Sequence, residues 1–267
     1  MSRITKMFER VGVSGGKALI TYITAGDPDL LTTKRLLFAL QKAGADLIEL
    51  GIPFSDPMAD GPTIQRASFR ALKNGTNLKA IFDMLKETKK ELDVPTILFG
   101  YYNPIFQYGM DSFIESAKEA GIDGVLIVDL PLEESDGIQK FTDKAGIDLI
   151  NLVSPVTDVG RLKRIIADAS GFLYYISVTG VTGVRSEMPK EVFNQISKIK
   201  KTTKLPVVVG FGVSNPEAAY QISRVADGVV VGSAIVNIIE EYGGDDTALL
   251  LEVQRFVSSL KAKMCES

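Results

Sequence analysis

The sequence predicts an α/β protein folded as one closed (β/α)8 barrel, and three observations carry that expectation. Apolar runs that favour strands recur about eight times along the 267 residues. A stretch with helical spacing follows nearly every run, and no flexible linker or shift in composition divides the chain. Eight parallel strands close such a barrel, and about 250 residues is its usual length. A doubly wound open sheet is the competing architecture, which the strand count disfavours.

The elements follow in order. Residues 2–13 place Ile4, Met7, Phe8 and Val11 at helical spacing and stop at Gly15-Gly16, so a cap helix precedes a barrel spanning about 17–241. Strands are expected at 18–25, 46–52, 95–102, 122–129, 147–153, 171–178, 205–210 and 226–231. Gly26-Asp27-Pro28 ends the first, and Gly44 ends the helix at 29–43 as a C-terminal cap. Further helices are expected at 64–73, 78–92, 111–120, 132–145, 158–168, 190–200, 216–224 and 234–241, with a longer one at 247–264. Residues 1–267 read as a single domain.

Composition narrows the function. A net charge of -3 and a pI of 5.3, with both signs interspersed, suit neither nucleic acid nor an anionic membrane. The expected ligand is small. The single cysteine, Cys265, permits neither an intrachain disulfide nor a cysteine-rich metal site, and a cytoplasmic home fits. No apolar run approaches the ~18 residues of a membrane span. With no histidine in the chain, imidazole bases and the usual zinc sites are excluded, and acid-base work falls to Asp, Glu, Lys, Tyr or Cys.

One strand stands apart. Alternation places Ile48, Leu50 and Ile52 on one face and Leu47, Glu49 and Gly51 on the other. A carboxylate among residues this apolar is costly unless it is paired, wet or in use. Pro53 and Pro57 then carry the chain through a loop to Asp60, which suits either chemistry or the cap of the following helix. Asp56 and Asp129 read as turn or packing residues. Tyr22, Phe99, Tyr101 and Tyr174 suit barrel filling or the walls of an aromatic slot, and position does not separate the two. Glycine-rich turns at 210–214 and 232–234, after the last two strands, suit a phosphate held by backbone N–H groups. Residues 178–186, rich in small side chains, suit a lid.

The segments LIELGIPFSDPMADGPTIQRA, TAGDP, YYNPIFQYG, VDLPLEES, VTGVTGVR, GFGVS and GSAIV together resemble the tryptophan synthase alpha subunit family over essentially the whole chain. The resemblance implies a TIM barrel that cleaves indole-3-glycerol phosphate by a retro-aldol reaction, without a cofactor or metal in this subunit. It implies Glu49 and Asp60 as the catalytic pair, with Glu49 raised in pKa and Asp60 charged on a more solvated loop. An indole slot would involve Tyr22, Phe99, Tyr101, Leu126, Leu152 and Tyr174, with Thr182 and Phe211 also on the substrate. Tyr22 and Phe99 stand where the family often has other large apolar or aromatic residues. Phosphate would lie at Gly183, Gly212, Gly232 and Ser233. The implied partner is a beta subunit carrying pyridoxal phosphate, in an alpha2-beta2 heterotetramer, with Pro53 and Asp56 at the interface. Two other readings remain: a phosphate-binding barrel enzyme such as an indole-glycerol-phosphate synthase, which calls for a lysine acid, and a non-catalytic regulatory subunit.

Overall fold

The computed structural model describes residues 1–176, 190–210 and 212–266. Helix α1 (Arg3–Val13) precedes β1 (Ala18–Thr24), α2 (Leu30–Lys42), β2 (Leu47–Gly51), α3 (Pro62–Lys73), α4 (Leu78–Thr88) and β3 (Thr96–Gly100). Next come α5 (Tyr102–Tyr108), α6 (Met110–Ala120), β4 (Gly124–Ile127), α7 (Leu132–Ala145), β5 (Asp148–Leu149) and β6 (Asn151–Val153). The chain continues through α8 (Val159–Asp168), β7 (Leu173–Ile176), α9 (Lys190–Thr202), β8 (Val207–Gly210), α10 (Pro216–Ser223), β9 (Gly228–Val231), α11 (Ser233–Tyr242) and α12 (Asp246–Met264).

All strand pairings are parallel, in the order β5-β4-β3-β2-β1-β9-β8-β7-β6. The two ends of that order are neighbours in sequence. Only Ile150 separates β5 from β6, and its N–H donates to the Val125 carbonyl at 2.9 Å. Residues 148–153 therefore act as one bent strand that joins both sheet edges, and the expected eight runs close a barrel.

Alternation along each strand divides the apolar side chains between two cores. Ile48, Leu50 and Ile52 of the β2 segment point outward into the layer shared with the helices. Leu47, Ile20, Ile97, Leu126, Tyr174 and Val208 fill the barrel interior, with Ile4, Met7, Phe8 and Val11 of α1 packed on the same cluster. The helix starts follow from local chemistry: Ser2, Asp29, Asn77, Asp158 and Asn215 each accept a backbone N–H at a helix N-terminus.

Several strands are shorter than expected by about two residues at an end, and two of the shifted boundaries have a local cause. The third strand stops at Gly100 rather than at 102, and Tyr102 opens a short helix whose first N–H is held by Asp129 Oδ1 at 2.7 Å. Pro104 lacks a ladder donor and fits a first helical turn. Helix α4 ends at Thr88 rather than at 92, where the Thr88 hydroxyl donates to the Leu85 carbonyl at 2.9 Å and residues 89–91 form a turn.

The amino-terminal end of the barrel is stitched by aspartates that open strands. Asp46 accepts the Leu19 N–H at 2.7 Å, Asp123 that of Thr96 at 2.9 Å, and Asp227 that of Val207 at 3.0 Å. Each also meets a cation: Lys261 at 2.5 Å, Arg3 at 3.0 Å and Lys200 at 2.7 Å, respectively. These bonds tie one strand to the next where no substrate needs room.

Candidate active site

Glu49 lies on the inward face of β2, between Tyr22 of β1 and Ile97 of β3 in register. It is fully buried, and neither carboxylate oxygen has a hydrogen-bond partner. Among the described residues no cation pairs with it, which disfavours the reading of a structural ion pair. Burial alone pushes its carboxyl from 4.5 up to about 8, because an apolar interior penalises the charged form. An unpaired buried carboxyl is a cost that stable packing would avoid.

Asp60 lies on the loop between β2 and α3. It does not cap α3: the N-cap is Gly61, without a side-chain bond. Its carboxyl is half-buried, and desolvation pushes it from 3.8 up to about 6 against the opposing hydrogen bond of the Tyr101 hydroxyl. Asp60 is the more solvated of the two, as expected, although its loop packs against Tyr101 and leaves the carboxyl only partly exposed. The order of the two carboxyls is nonetheless the expected one, with Asp60 below neutrality and Glu49 above it.

The aromatic residues form the wall between them. Tyr22 and Phe99 meet edge to face with ring centroids 5.4 Å apart, a favoured aromatic arrangement. Leu126 pairs with Phe99, and Leu152 with Tyr174, across neighbouring strands. Burial and the nearby Glu49 hold the Tyr174 phenol well above its usual range, and burial with the nearby Asp60 does so for Tyr22. Room for these rings comes from glycine. A Cβ on Gly51 would stand 2.1 Å from the Tyr22 hydroxyl, and one on Gly210 would stand 2.6 Å from that of Tyr174.

The tryptophan synthase alpha chain family model matches residues 8–265. This chain belongs to that family. A tryptophan synthase alpha chain from Geotalea uraniireducens is 51% identical over 262 residues, covering 98% of this chain and 97% of that one. The tryptophan synthase subunit alpha structure from Legionella pneumophila superposes with a TM-score of 0.92 at 42% identity, covering 99% of this chain and 98% of that one. A chain in a tryptophan synthase complex from Pyrococcus furiosus matches at TM-score 0.82 and 40% identity, covering 92% and 98%.

Within this alpha-chain fold, the described turns expected to hold phosphate follow β8 and β9, and β9 is separated from β2 only by β1. Gly232 is the N-cap of α11 and Ser233 its first residue, with no side chain capping that helix end; Gly212 follows β8 at a φ of +42°. Uncapped N–H groups at a helix start suit an anion. Thr182, Gly183, Phe211 and the lid expected at 178–186 lie outside the described residues. Pro53 is buried, whereas Asp56 is exposed beside Ser55. Among the described residues no group of three or more His, Cys, Asp or Glu side chains could hold a metal, and no helix is long and apolar enough to cross a membrane.

Sequence reasoning passed over one arrangement that braces the site. Asp27, in the turn after β1, is buried and held by Arg70 of α3 through Nε at 2.7 Å and Nη2 at 2.8 Å. Arg70 also reaches Glu240 of α11 at 2.8 Å, where Arg66 makes a second pair at 2.7 Å. The helix that follows Asp60 is thereby joined to the helix that begins at Gly232. Forty-three positions separate Asp27 from Arg70, so no local pattern announces the contact.

Proposed function

We propose that this chain catalyses the alpha reaction of tryptophan synthase, the cleavage of indole-3-glycerol phosphate to indole and glyceraldehyde 3-phosphate. The observation that carries the reading is Glu49: fully buried, without a partner, and titrating near the pH at which it must work. A proton delivered from Glu49 to indole C3 places positive charge on the ring nitrogen. The hydroxyl proton of the adjoining glycerol carbon returns to Glu49 as that carbon becomes an aldehyde. The electrons of the broken carbon–carbon bond then restore the indole ring, so the proton balance closes on Glu49. Asp60, ionised at neutral pH by virtue of its lower pKa, holds the ring N–H and its developing charge. Tyr22, Phe99, Leu126, Leu152 and Tyr174 wall the indole, and the N-terminus of α11 with Gly212 receives the phosphate. All of this runs without a cofactor in this chain.

The reading extends to a partner. Met58 is 95% exposed, Val156 83%, Val159 66% and Phe106 61%, and all four follow the carboxyl ends of strands, around the barrel mouth. Large apolar side chains grouped in this way fit a protein surface. A tryptophan synthase beta subunit, carrying pyridoxal phosphate and meeting Pro53 and Asp56, would cover this rim in an alpha2-beta2 assembly and accept the indole. Cytoplasmic residence and a single domain over 1–267 complete the proposal.

The test is release of indole from indole-3-glycerol phosphate by the purified chain, alone and with a beta subunit. Indole should appear in both and faster with the partner. No release in either would sink the assignment.

A further inference from the structure

We infer that Tyr101 is a positioning residue for Asp60, latching the loop that carries it, rather than only a wall of the indole slot. The inference rests on the function proposed above and assigns a part to a side chain that the reaction scheme leaves idle. Tyr101 is 4% exposed and lies one residue beyond the end of β3, on the rigid barrel. From there it grips both ends of the loop. Its ring packs against Phe54, two residues past Ile52, with centroids 5.3 Å apart. Its hydroxyl oxygen accepts the backbone N–H of Ala59 at 3.0 Å, immediately before Asp60.

That direction of hydrogen bonding matters. The Ala59 N–H occupies a lone pair of the phenol oxygen, so the phenol proton is free to point elsewhere. The adjacent acceptor is the Asp60 carboxylate, and a phenol proton turned toward it favours the ionised form. A phenol that accepts from the Ala59 N–H can thus donate toward the Asp60 carboxylate, and such relays strengthen each member. Between Phe54 and Asp60, Pro57 is buried but Ser55, Asp56, Met58 and Ala59 are exposed, so this stretch has few anchors of its own. The phenol supplies the fixed point that the loop sequence lacks, and a misplaced catalytic group costs rate steeply.

Replacing Tyr101→Phe keeps the ring on Phe54 and removes only the hydroxyl. Loss of one hydrogen bond to a charged group predicts a fall in kcat of roughly 10- to 100-fold with KM changed by less than about threefold. Because the hydroxyl lowers the Asp60 pKa, its removal should move the acidic limb of the kcat/KM profile to higher pH. A slot wall would behave differently: KM would rise while kcat and the limb stayed in place, and that result would overturn the inference. Amide exchange of Ala59 in the unmodified protein gives a second reading that needs no variant. Protection is expected, and exchange at the rate of an unstructured amide would count against the latch. If the unmodified protein releases no indole at all, the functional proposal falls and the inference with it. An active parent and an equally active Tyr101→Phe would overturn the inference alone.

Discussion

At the amino-terminal end of the barrel Asp46, Asp123 and Asp227 each meet a backbone N–H and a cation, whereas Glu49, further along β2, meets neither. The aspartates open their strands at the barrel's floor; the glutamate faces its mouth. What differs is whether the fold satisfies the charge. At the floor the carboxylates hold strands together and are engaged by the protein itself. At the mouth a carboxyl is left unengaged, and its proton affinity rises until it can exchange a proton near neutral pH. Asp27 sharpens the contrast, because it sits at the active end yet is treated like a floor residue, buried and gripped by Arg70.

The contrast breaks most severely at Glu49. Glu49→Gln should lower indole release by about 10²- to 10⁴-fold, the usual worth of a general acid-base group. It should also make the protein more stable, with a definite pH dependence. A folded-state pKa of about 8, raised from 4.5, means that the parent's full stability is present below the unfolded value and is lost as pH rises through 8. Glutamine suffers no such loss, so urea unfolding at pH 9 should favour the variant, on the order of 5 kcal/mol, and at pH 4 the two should converge. An equal offset at both pH values would contradict an unpaired Glu49.

Cleavage itself should follow a bell-shaped pH profile, rising as Asp60 ionises near 6 and falling as Glu49 ionises near 8. With no histidine in the chain, no imidazole contributes to either limb, and Asp60→Asn should remove the acidic one along with most activity. A next smaller effect is expected from Arg70→Met, which leaves Asp27 buried without its cation. Denaturant unfolding at pH 7 should show a loss of about 3 kcal/mol, easing as pH falls and Asp27 takes up a proton. Asp123→Ala at the floor should cost about 1–3 kcal/mol through the unmade Thr96 and Arg3 bonds, while indole release by the folded fraction stays at the parent rate. Smallest of all, Lys79→Ala breaks only an exposed pair with Asp83, and the melting midpoint should not move.

Much of this contrast was legible before folding. Period-two alternation put Glu49 on the inward face, and proline at 53 and 57 announced a loop in place of more strand. The eight runs gave the closed sheet, including 147–153, which the structure divides at Ile150. Other features depend on partners far apart in sequence. Gly44-Ala45-Asp46, Gly121-Ile122-Asp123 and Gly146-Ile147-Asp148 share a pattern that marks a helix end followed by a strand start. Only in three dimensions does Asp123 reach Thr96, 27 positions back. Asp148 carries the same pattern without such a bond; one of its oxygens is buried and unpartnered. The burial of Asp60 was equally hidden, since its loop is held by Tyr101, which lies just past the end of β3. Helix α5 escaped because Tyr101-Tyr102 favours a strand by side chain, while Asp129 selects a helix by holding the Tyr102 N–H.

The glycines beneath Tyr22 and Tyr174 have a consequence for altering what the slot accepts. The hydroxyls of both tyrosines occupy the positions where side chains of Gly51 and Gly210 would begin. Width is therefore coded jointly by a ring on one strand and by the absence of a side chain on its neighbour. A search that varies the tyrosines alone can widen the slot by truncation but cannot reshape it. One that varies Tyr22 with Gly51, and Tyr174 with Gly210, can move the wall from one strand to the next while keeping the total volume. Divergence of such a slot should proceed by paired exchange, with each glycine free to change only when its tyrosine becomes smaller.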